Sequence, residues 1–454
     1  MQLYEHQRRI ADFKTAVPRA FNTSDPGTGK TIASLTAFNE LPEDRGAMLV
    51  LAPLSILQAS WGDDIEKSGY GFTYALATAK HREKAFTSGA DIIICNHDGV
   101  KWLTDNPKHL GRINTIVVDE FSFFKHRTSD RSKALDKICK QVKYVWLLGG
   151  TPNSNSILDI WFPTFLLDRG ERLGRSFAAF RSQVCTPVPV PGVPNAANWI
   201  PKPEAELIVA DRLRDITIRF RLEDCIDLPE NVVHTLHVEL PKKIKPLYEQ
   251  LKHESYLELQ GGSINAVHAG ARAQKLLQLC SGAVYGQEEG ATLIAGTERY
   301  ELVAQLCSER NQTVVAFNWR HQKDQILKFL GKYGLSCAVI DGSVSAEART
   351  HAVNLFQQGK IRVILAHPQA AGHGLTLTNG CATIWASPTY NAEWFQQFNR
   401  RIYRAGQTKR TETILIAAKD TIEETVYEKL DGKLTRMDAL LSIFETTTNI
   451  KKVS

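Results

Sequence analysis

The 454-residue sequence has no uninterrupted apolar run near the ~18 residues that a bilayer span requires. Its opening stretch, MQLYEHQRRIADF, also lacks the apolar core of a secretion signal. Both absences point to a cytoplasmic protein with no membrane partner. No C-x-x-C pair occurs either: Cys95, Cys139, Cys185, Cys225, Cys280, Cys307, Cys337 and Cys381 stand singly. That spacing argues against a zinc site or a disulfide framework and for reduced, mostly buried thiols. No paired-carboxylate nuclease signature stands apart from the acidic pair described below.

What is present is the composition of an ordinary globular protein, 43% hydrophobic and 23% charged, which excludes disorder or a fibrous repeat as the main theme. Single cores stop growing near ~250 to 300 residues, so at least two domains are expected. The net charge of +6 suits a polyanionic partner without specifying one.

Up to about residue 165, short β-branched runs alternate with helix-length stretches: MLVLAP (48–53), DIIICN (91–96), TIVVDE (115–120) and YVWLLGG (144–150). Strands apolar on both faces and spaced by helices indicate a parallel sheet covered on both sides. The texture returns from about residue 295 with TVVAFN, SCAVID, RVILAH, ATIWAS and TETILIAA. The fold class predicted is α/β, with two such domains in tandem and helical insertions between them. The first domain spans residues 1–225, its core reaching about 165. The second spans 226–454, with a helical insertion at about 242–285. Residues 187–203, PVPVPGVPNAANWIPKP, hold six prolines and read as a surface loop, because proline excludes regular helix and central strand.

The chemistry begins at SDPGTGKT, residues 24–31. The usual phosphate loop is G-x-x-x-x-G-K-[ST], and Ser24 stands where the first glycine belongs. Gly27 and Gly29 permit a tight turn after Pro26, and Lys30 offers a point charge for the β- and γ-phosphates. Thr31 offers a hydroxyl to Mg²⁺, and the amides opening the following helix face the phosphates. Downstream, Asp119 and Glu120 end the strand TIVVDE. An acid pair there can hold Mg²⁺ through Asp119 and orient the attacking water through Glu120.

Taken together, DPGTGKT, LAPLSILQASW, VVDEFSFFKHRTS and LLGGTPNSNS resemble motifs I, Ia, II and III of superfamily 2 helicases, in particular the Swi/Snf-like branch of DNA translocases. The resemblance implies two RecA-like domains, ATP with Mg²⁺, and double-stranded or branched DNA as partner. It makes Ser24 an acceptable small residue and places Asp25, Pro26, Gly27, Thr28, Gly29, Lys30 and Thr31 around the phosphates. Gln7 falls on the adenine-reading glutamine. ITIRFRLEDCIDLPEN resembles the family's linking segment.

The stretch from Ala370 to Lys409 resembles motifs V and VI, putting Gly372, Gly374 and Gln397 on the nucleotide. Arg401 and Arg404, at i and i+3, share one face of a helix and can address one target. Planar guanidinium groups suit a phosphoryl-transfer transition state, which these arginines would reach when the domains close. The DNA contacts implied are Ser55, His97, Ser343 and Thr376. Trp61, Trp319 and Trp394 are candidates for stacking on bases or for packing inside.

Two departures bear on function. Where the family has D-E-A-H, Phe121 and Ser122 follow the acids, and where it has T-G-T, Gly149, Gly150 and Thr151 stand. The usual side chains linking hydrolysis to DNA contact are therefore changed. No accessory domain is visible beyond the engine, so branch migration or fork remodelling is the reading preferred. The motor subunit of a restriction or repair nuclease, and an ATP-switched DNA clamp, remain alternatives.

Overall fold

The computed structural model describes residues 2–150, 156–189, 197–260, 266–285, 291–293, 297–371 and 375–450. The chain divides into two compact units: Met1–Thr186 with Pro201–Asp227 and Lys433–Ser454, and Pro187–Ile200 with Leu228–Gly432.

The first unit is built on strands β1 (Arg19–Asn22), β2 (Ala47–Ala52), β3 (Tyr74–Ala77), β4 (Ile92–Asn96), β5 (Ile113–Asp119) and β6 (Tyr144–Leu148). Two further strands, β7 (Cys185–Pro189) and β8 (Ala197–Pro201), form a separate ribbon, and β9 (Thr217–Ile218) returns to the main sheet. The main sheet runs β3-β4-β2-β5-β6-β1-β9, all parallel. All six residues of β2 and all five of β6 are buried, as near-continuous apolar strands demand when both sheet faces are covered. Trp146, Trp61, Phe38 and Ile94 belong to one core on this sheet. Full burial of each such side chain contributes about 1.5 to 3 kcal/mol.

Register sets the site. Asp119 pairs with Leu148, and Leu148 with Asn22, so the loops leaving β5, β6 and β1 start level and side by side. Helix α1 (Glu5–Ala16) precedes β1 and stops at Val17, whose extended backbone (φ −116°, ψ 95°) is what a following proline, Pro18, imposes. Helix α2 (Lys30–Glu40) follows the loop after β1 and buries Ala33, Leu35, Ala37 and Phe38.

The second unit holds β10 (Asn231–Val238), the hairpin of β11 (Ala283–Tyr285) and β12 (Ala291–Leu293), and β13 (Thr313–Ala316), β14 (Cys337–Ile340), β15 (Val363–Ala366), β16 (Ala382–Trp385) and β17 (Thr411–Ala418). Its sheet runs β10-β17-β16-β13-β15-β14, again wholly parallel. The helices Lys245–Gln260 and Ala266–Cys280 fall in the range expected for the helical insertion. Tyr248 and Cys280 of these helices pack with Ala418 at the end of β17, and the Ile422 amide donates to the Tyr248 hydroxyl at 2.7 Å.

The reading of residues 187–203 as a loop needs correction, since β7 and β8 lie within or beside it. A two-stranded ribbon has only edges, and on an edge Pro187, Pro189 and Pro201 can point their missing N–H away from the partner strand. The segment is superficial nonetheless: four of the five residues in β7 are exposed. The short strands β1, β3 and β9 and the edge strand β10 escaped the apolar-run reading. Strand β1 opens on Arg19, and β10 alternates half-buried with exposed residues along most of its length.

Among the described residues no helix is long and apolar enough to cross a membrane. The eight cysteines are free.

Candidate functional site

The phosphate loop leaves β1 at Asn22 and enters α2 at Lys30. Gly27 (φ 91°) and Gly29 (φ 79°) both occupy the left-handed region, so a side chain at either would strain the turn. A Cβ at Gly29 would also lie 2.2 Å from Nε2 of Gln7, so the glutamine amide rests directly on the loop. Gln7 is held there from α1, its Oε1 accepting from the Tyr4 amide at 3.1 Å. One residue earlier, His6 is buried with Nε2 2.9 Å from the Thr28 carbonyl, and burial lowers its pKa.

The loop is zipped to the segment after β9. The Thr23 amide donates to Ile218 O at 2.9 Å and the Asp25 amide to Phe220 O at 3.0 Å. In return the Phe220 amide donates to Ser24 Oγ at 3.0 Å and the Leu222 amide to Asp25 Oδ2 at 3.2 Å. Arg219, buried, pairs with Asp25 Oδ1 at 3.1 Å and donates to Thr23 O at 2.6 Å. Ser24 is therefore an anchor, a task that glycine at this position could not perform. The Asp25 carboxylate holds the loop to Arg219 and Leu222. Sequence reasoning missed Arg219, and its only signal was its place in the linking segment.

Lys30 curls over its own loop, donating from Nζ to Ser24 O at 2.7 Å and Asp25 O at 3.1 Å. Burial pushes its pKa down, against the opposing pull of Glu120, Asp119 and Asp25. The Asp119 carboxyl is pushed up by burial, opposed by a hydrogen bond from Trp61 and by the charges of Lys30 and Lys14. Glu120 follows in the left-handed region (φ 55°, ψ 59°), a conformation uncommon for a residue with a Cβ and concentrated at functional sites. The strand ends thus bring Lys30, Asp119 and Glu120 into one electrostatic cluster.

Lys14 lies behind this cluster and was also missed, although it shares the buried stripe of α1 with Ile10 and Ala11. Its Nζ donates to Ser34 Oγ at 2.6 Å, and that hydroxyl donates to Lys30 O at 2.7 Å, so Lys14 props the first turn of α2. Its ammonium also sits 5.4 Å from the Trp146 ring centre. Burial, reinforced by Lys30, lowers the Lys14 pKa to about 7.

The departures in motifs II and III lie against each other. A Cβ at Gly149 would lie 3.1 Å from two ring carbons of Phe121, and one at Gly150 would lie 3.1 Å from Cδ of Pro26. The ring of Phe121 occupies space that a side chain at position 149 would need. Thr151, next along, lies outside the described residues.

His97 departs from its expectation as a DNA contact, whereas Trp61 follows the packed reading. His97 is only 4% exposed, with Nε2 2.8 Å from the Asp119 carbonyl and its ring stacked on Phe123, and burial lowers its pKa to about 4. A neutral, buried, occupied imidazole is not placed to grip DNA phosphates. Trp61 is fully buried, so it does not stack on bases; its Nε1 donates to Asp119 Oδ2 at 3.0 Å. Ser55 lies in a short turn, Leu54–Ile56, just past β2. Ser343 and Thr376 are exposed in the second unit, and the Ser343 hydroxyl donates to Asp341 Oδ1 at 2.5 Å. Trp319 and Trp394 are half-buried, with Trp394 edge-on to His367.

In the second unit Gln397 is buried on helix Ala392–Asn399, its Nε2 donating to Glu393 Oε1 at 3.3 Å. Arg401 and Arg404 do not share a helix face, because the helix ends at Asn399. The Arg401 carbonyl accepts from the Leu377 amide instead of from an amide further along the same helix, which turns the chain away. Both guanidinium groups nevertheless meet at one acceptor: Arg401 Nη1 lies 3.3 Å, and Arg404 Nη1 3.1 Å, from Leu375 O. Gly372 and Gly374 lie outside the described residues.

Comparison with known proteins matches residues 23–281 to the SNF2-related domain and residues 298–406 to the helicase conserved C-terminal domain. The chain is 30% identical to protein p41 of Acyrthosiphon pisum secondary endosymbiont phage 1, covering 96% of this chain and 97% of that one. It is 24% identical to YwqA of Bacillus subtilis, a protein named for an ATP-dependent helicase/translocase, over 92% of this chain and 46% of that one. It spans about half the length of that bacterial relative. A solved structure of the Sulfolobus solfataricus SWI2/SNF2 ATPase core in complex with dsDNA aligns with a TM-score of 0.45 at 20% identity, covering all of this chain and 95% of that one.

Proposed function

Because the chain belongs to the SNF2-related family of ATP-dependent helicases and is an ATP hydrolase, we propose that it is a translocase on duplex or branched DNA that remodels recombination or replication intermediates. The observation that carries the reading is the level register of β1, β6 and β5, which sets the phosphate loop beside Asp119 and Glu120.

The residues suit ATP with Mg²⁺. Gly27 and Gly29, both with positive φ, let the loop take its tight turn, and Lys30 supplies the cation for phosphate. Thr31 and Asp119 offer the hard oxygen donors that Mg²⁺ prefers, and phosphate and water would complete its shell. Among the described residues no cluster of three or more His, Cys, Asp or Glu side chains could hold a metal without such help. When bound, the ion would neutralise charge on the phosphates. Glu120 would orient the attacking water, and Arg401 and Arg404 would balance the charge of the transition state.

On DNA, binding through phosphates would be independent of sequence and would weaken steeply with salt. Ser55, Ser343 and Thr376 remain the candidate contacts. The test is ATP hydrolysis measured with single-stranded, duplex, forked and four-way-junction DNA, with Lys30→Ala as control. Stimulation greatest on forks or junctions supports remodelling, and stimulation equal on plain duplex reduces the reading to a general duplex motor. No stimulation by any DNA overturns it.

A further inference from the structure

Asp119 is gripped from two directions by side chains outside its own motif. Its carboxylate accepts from Trp61 Nε1 at 3.0 Å, and its carbonyl lies 2.8 Å from His97 Nε2. Burial keeps His97 neutral near pH 7, so the ring nitrogen facing this carbonyl is the one that carries the proton. The peptide that leads into the strained Glu120 is thereby fixed, and so is the orientation of the Asp119 carboxylate.

The grip from Trp61 comes through an unusual element. Residues Leu57–Gly62 form a π-helical stretch between the turn Leu54–Ile56 and helix Asp63–Ser68. Such wide turns are rare, and they occur frequently at functional sites. This one is shaped around its own side chains: a Cβ at Gly62 would lie 2.7 to 2.8 Å from the Gln58 amide group. Leu54, 64% exposed, and Gln58 face solvent, whereas Ile56, Leu57 and Trp61 are buried. One continuous stretch of chain therefore runs from an exposed turn at the carboxyl end of β2 to a hydrogen bond on Asp119. The side chains that usually link hydrolysis to DNA are altered at Phe121, Ser122 and Gly149. The hydrogen bond from Trp61 goes to Asp119, which is not one of those positions.

We propose that Trp61 is a positioning residue for Asp119, and that Leu54–Gly62 is the element through which DNA bound at the exposed turn adjusts the Asp119 carboxylate. The inference rests on the DNA-translocase reading above. Binding at Leu54–Ile56 shifts the π-helical turn, the indole N–H moves with it, and Asp119 gains or loses the donor that orients it.

The test replaces the tryptophans of the full chain with 5-fluorotryptophan and follows ¹⁹F resonances, that of Trp61 being identified by its absence from W61F or W61Y. The Trp61 resonance should move when blunt duplex DNA is added alone, and again when ADP and Mg²⁺ are added alone. In parallel, W61F, which keeps the buried ring and removes the N–H, should show a ratio of DNA-stimulated to basal ATPase lowered roughly tenfold. That is the loss expected for one hydrogen bond to a charged acceptor. A wild-type enzyme stimulated by duplex whose Trp61 resonance ignores duplex overturns this inference alone. So does a W61F enzyme with an unchanged stimulation ratio, including one whose basal and stimulated rates fall equally. A wild-type enzyme that no DNA stimulates sinks this inference together with the translocase reading.

Discussion

In the first unit, Lys30, Asp119 and Glu120 stand at level strand ends and are fixed by side chains from several neighbouring segments, among them Trp61, His97, Lys14 and Arg219. In the second, Arg401 and Arg404 sit past the end of a helix at Asn399, and their shared acceptor is a single carbonyl, that of Leu375. Both units use the same parallel-sheet scaffold. The contrast teaches that one scaffold supports two kinds of preparation. A buried polar network holds its groups in place, because its low-dielectric surroundings make a lost bond costly. Arg401 is buried and also donates from Nε to the Gln397 carbonyl at 2.8 Å, whereas Arg404 is only half-buried, so water can replace the protein acceptors it gives up in turning to a phosphate.

The largest effect expected tests the second half of this contrast. Arg404→Ala should lower kcat by roughly a thousandfold or more, the range for a guanidinium that stabilises phosphoryl transfer. Thermal unfolding should shift little, since Arg404 is only half-buried. A large drop in Tm with modest loss of kcat would make Arg404 a structural brace.

The first half is tested by Arg219→Met, which strands the Asp25 carboxylate beside a methionine. Removing one partner of a buried ion pair costs about 3 to 5 kcal/mol. Denaturant unfolding should register that loss, and the KM for ATP should rise as the phosphate loop loosens. Unchanged stability would show that the network is redundant.

Acid should strike both units alike. His97 in the first and His321 in the second are buried with pKa values lowered to about 4. The unfolded chain then binds more protons between about pH 6.5 and 4, so stability present above that window is lost as the pH falls through it. For His97 the loss amounts to about 3 kcal/mol at most. Unfolding free energies at pH 7 and 4.5 should converge in H97N H321N relative to wild type, and an unchanged pH slope would refute the burial argument.

The smallest effect concerns packing within the first unit. Gly149→Thr restores the residue usual in motif III but crowds the Phe121 ring, at about 1 to 3 kcal/mol for overpacking. Adding Phe121→Ala should recover part of that loss, a coupling readable in a double-mutant cycle. Simple additivity would mean that the two departures arose independently.

How much was legible beforehand follows from the range over which each signal acts. The apolar runs of β2, β4, β5, β6 and the later strands of the second unit were readable because both sheet faces are buried. Strand β1 was not, because its four residues begin with an arginine whose guanidinium satisfies the carbonyls of Cys139, Val142, Leu166 and Leu167. Lys30, Asp119 and Glu120 were legible because their chemistry lies in contiguous motifs. His97, which the resemblance implied as a DNA contact, is buried against Phe123 and Asp119, more than twenty residues away, where no local signal reaches. Arg401 and Arg404 do meet at one acceptor, but not on a helix as expected. Their spacing could not reveal that Leu377 captures the Arg401 carbonyl and turns the chain.

By itself the sequence determined the α/β class and singled out the candidate phosphate loop, acidic pair and two arginines, because each reading depends on residue type and short-range spacing. Only the tertiary structure decided what Ser24 holds, that the Phe121 ring lies against Gly149, and that Trp61 and His97 both hydrogen-bond Asp119. Those answers depend on which strand ends stand level and on which distant groups fill one buried space, and hydrogen bonding and close packing act there without regard to separation along the chain.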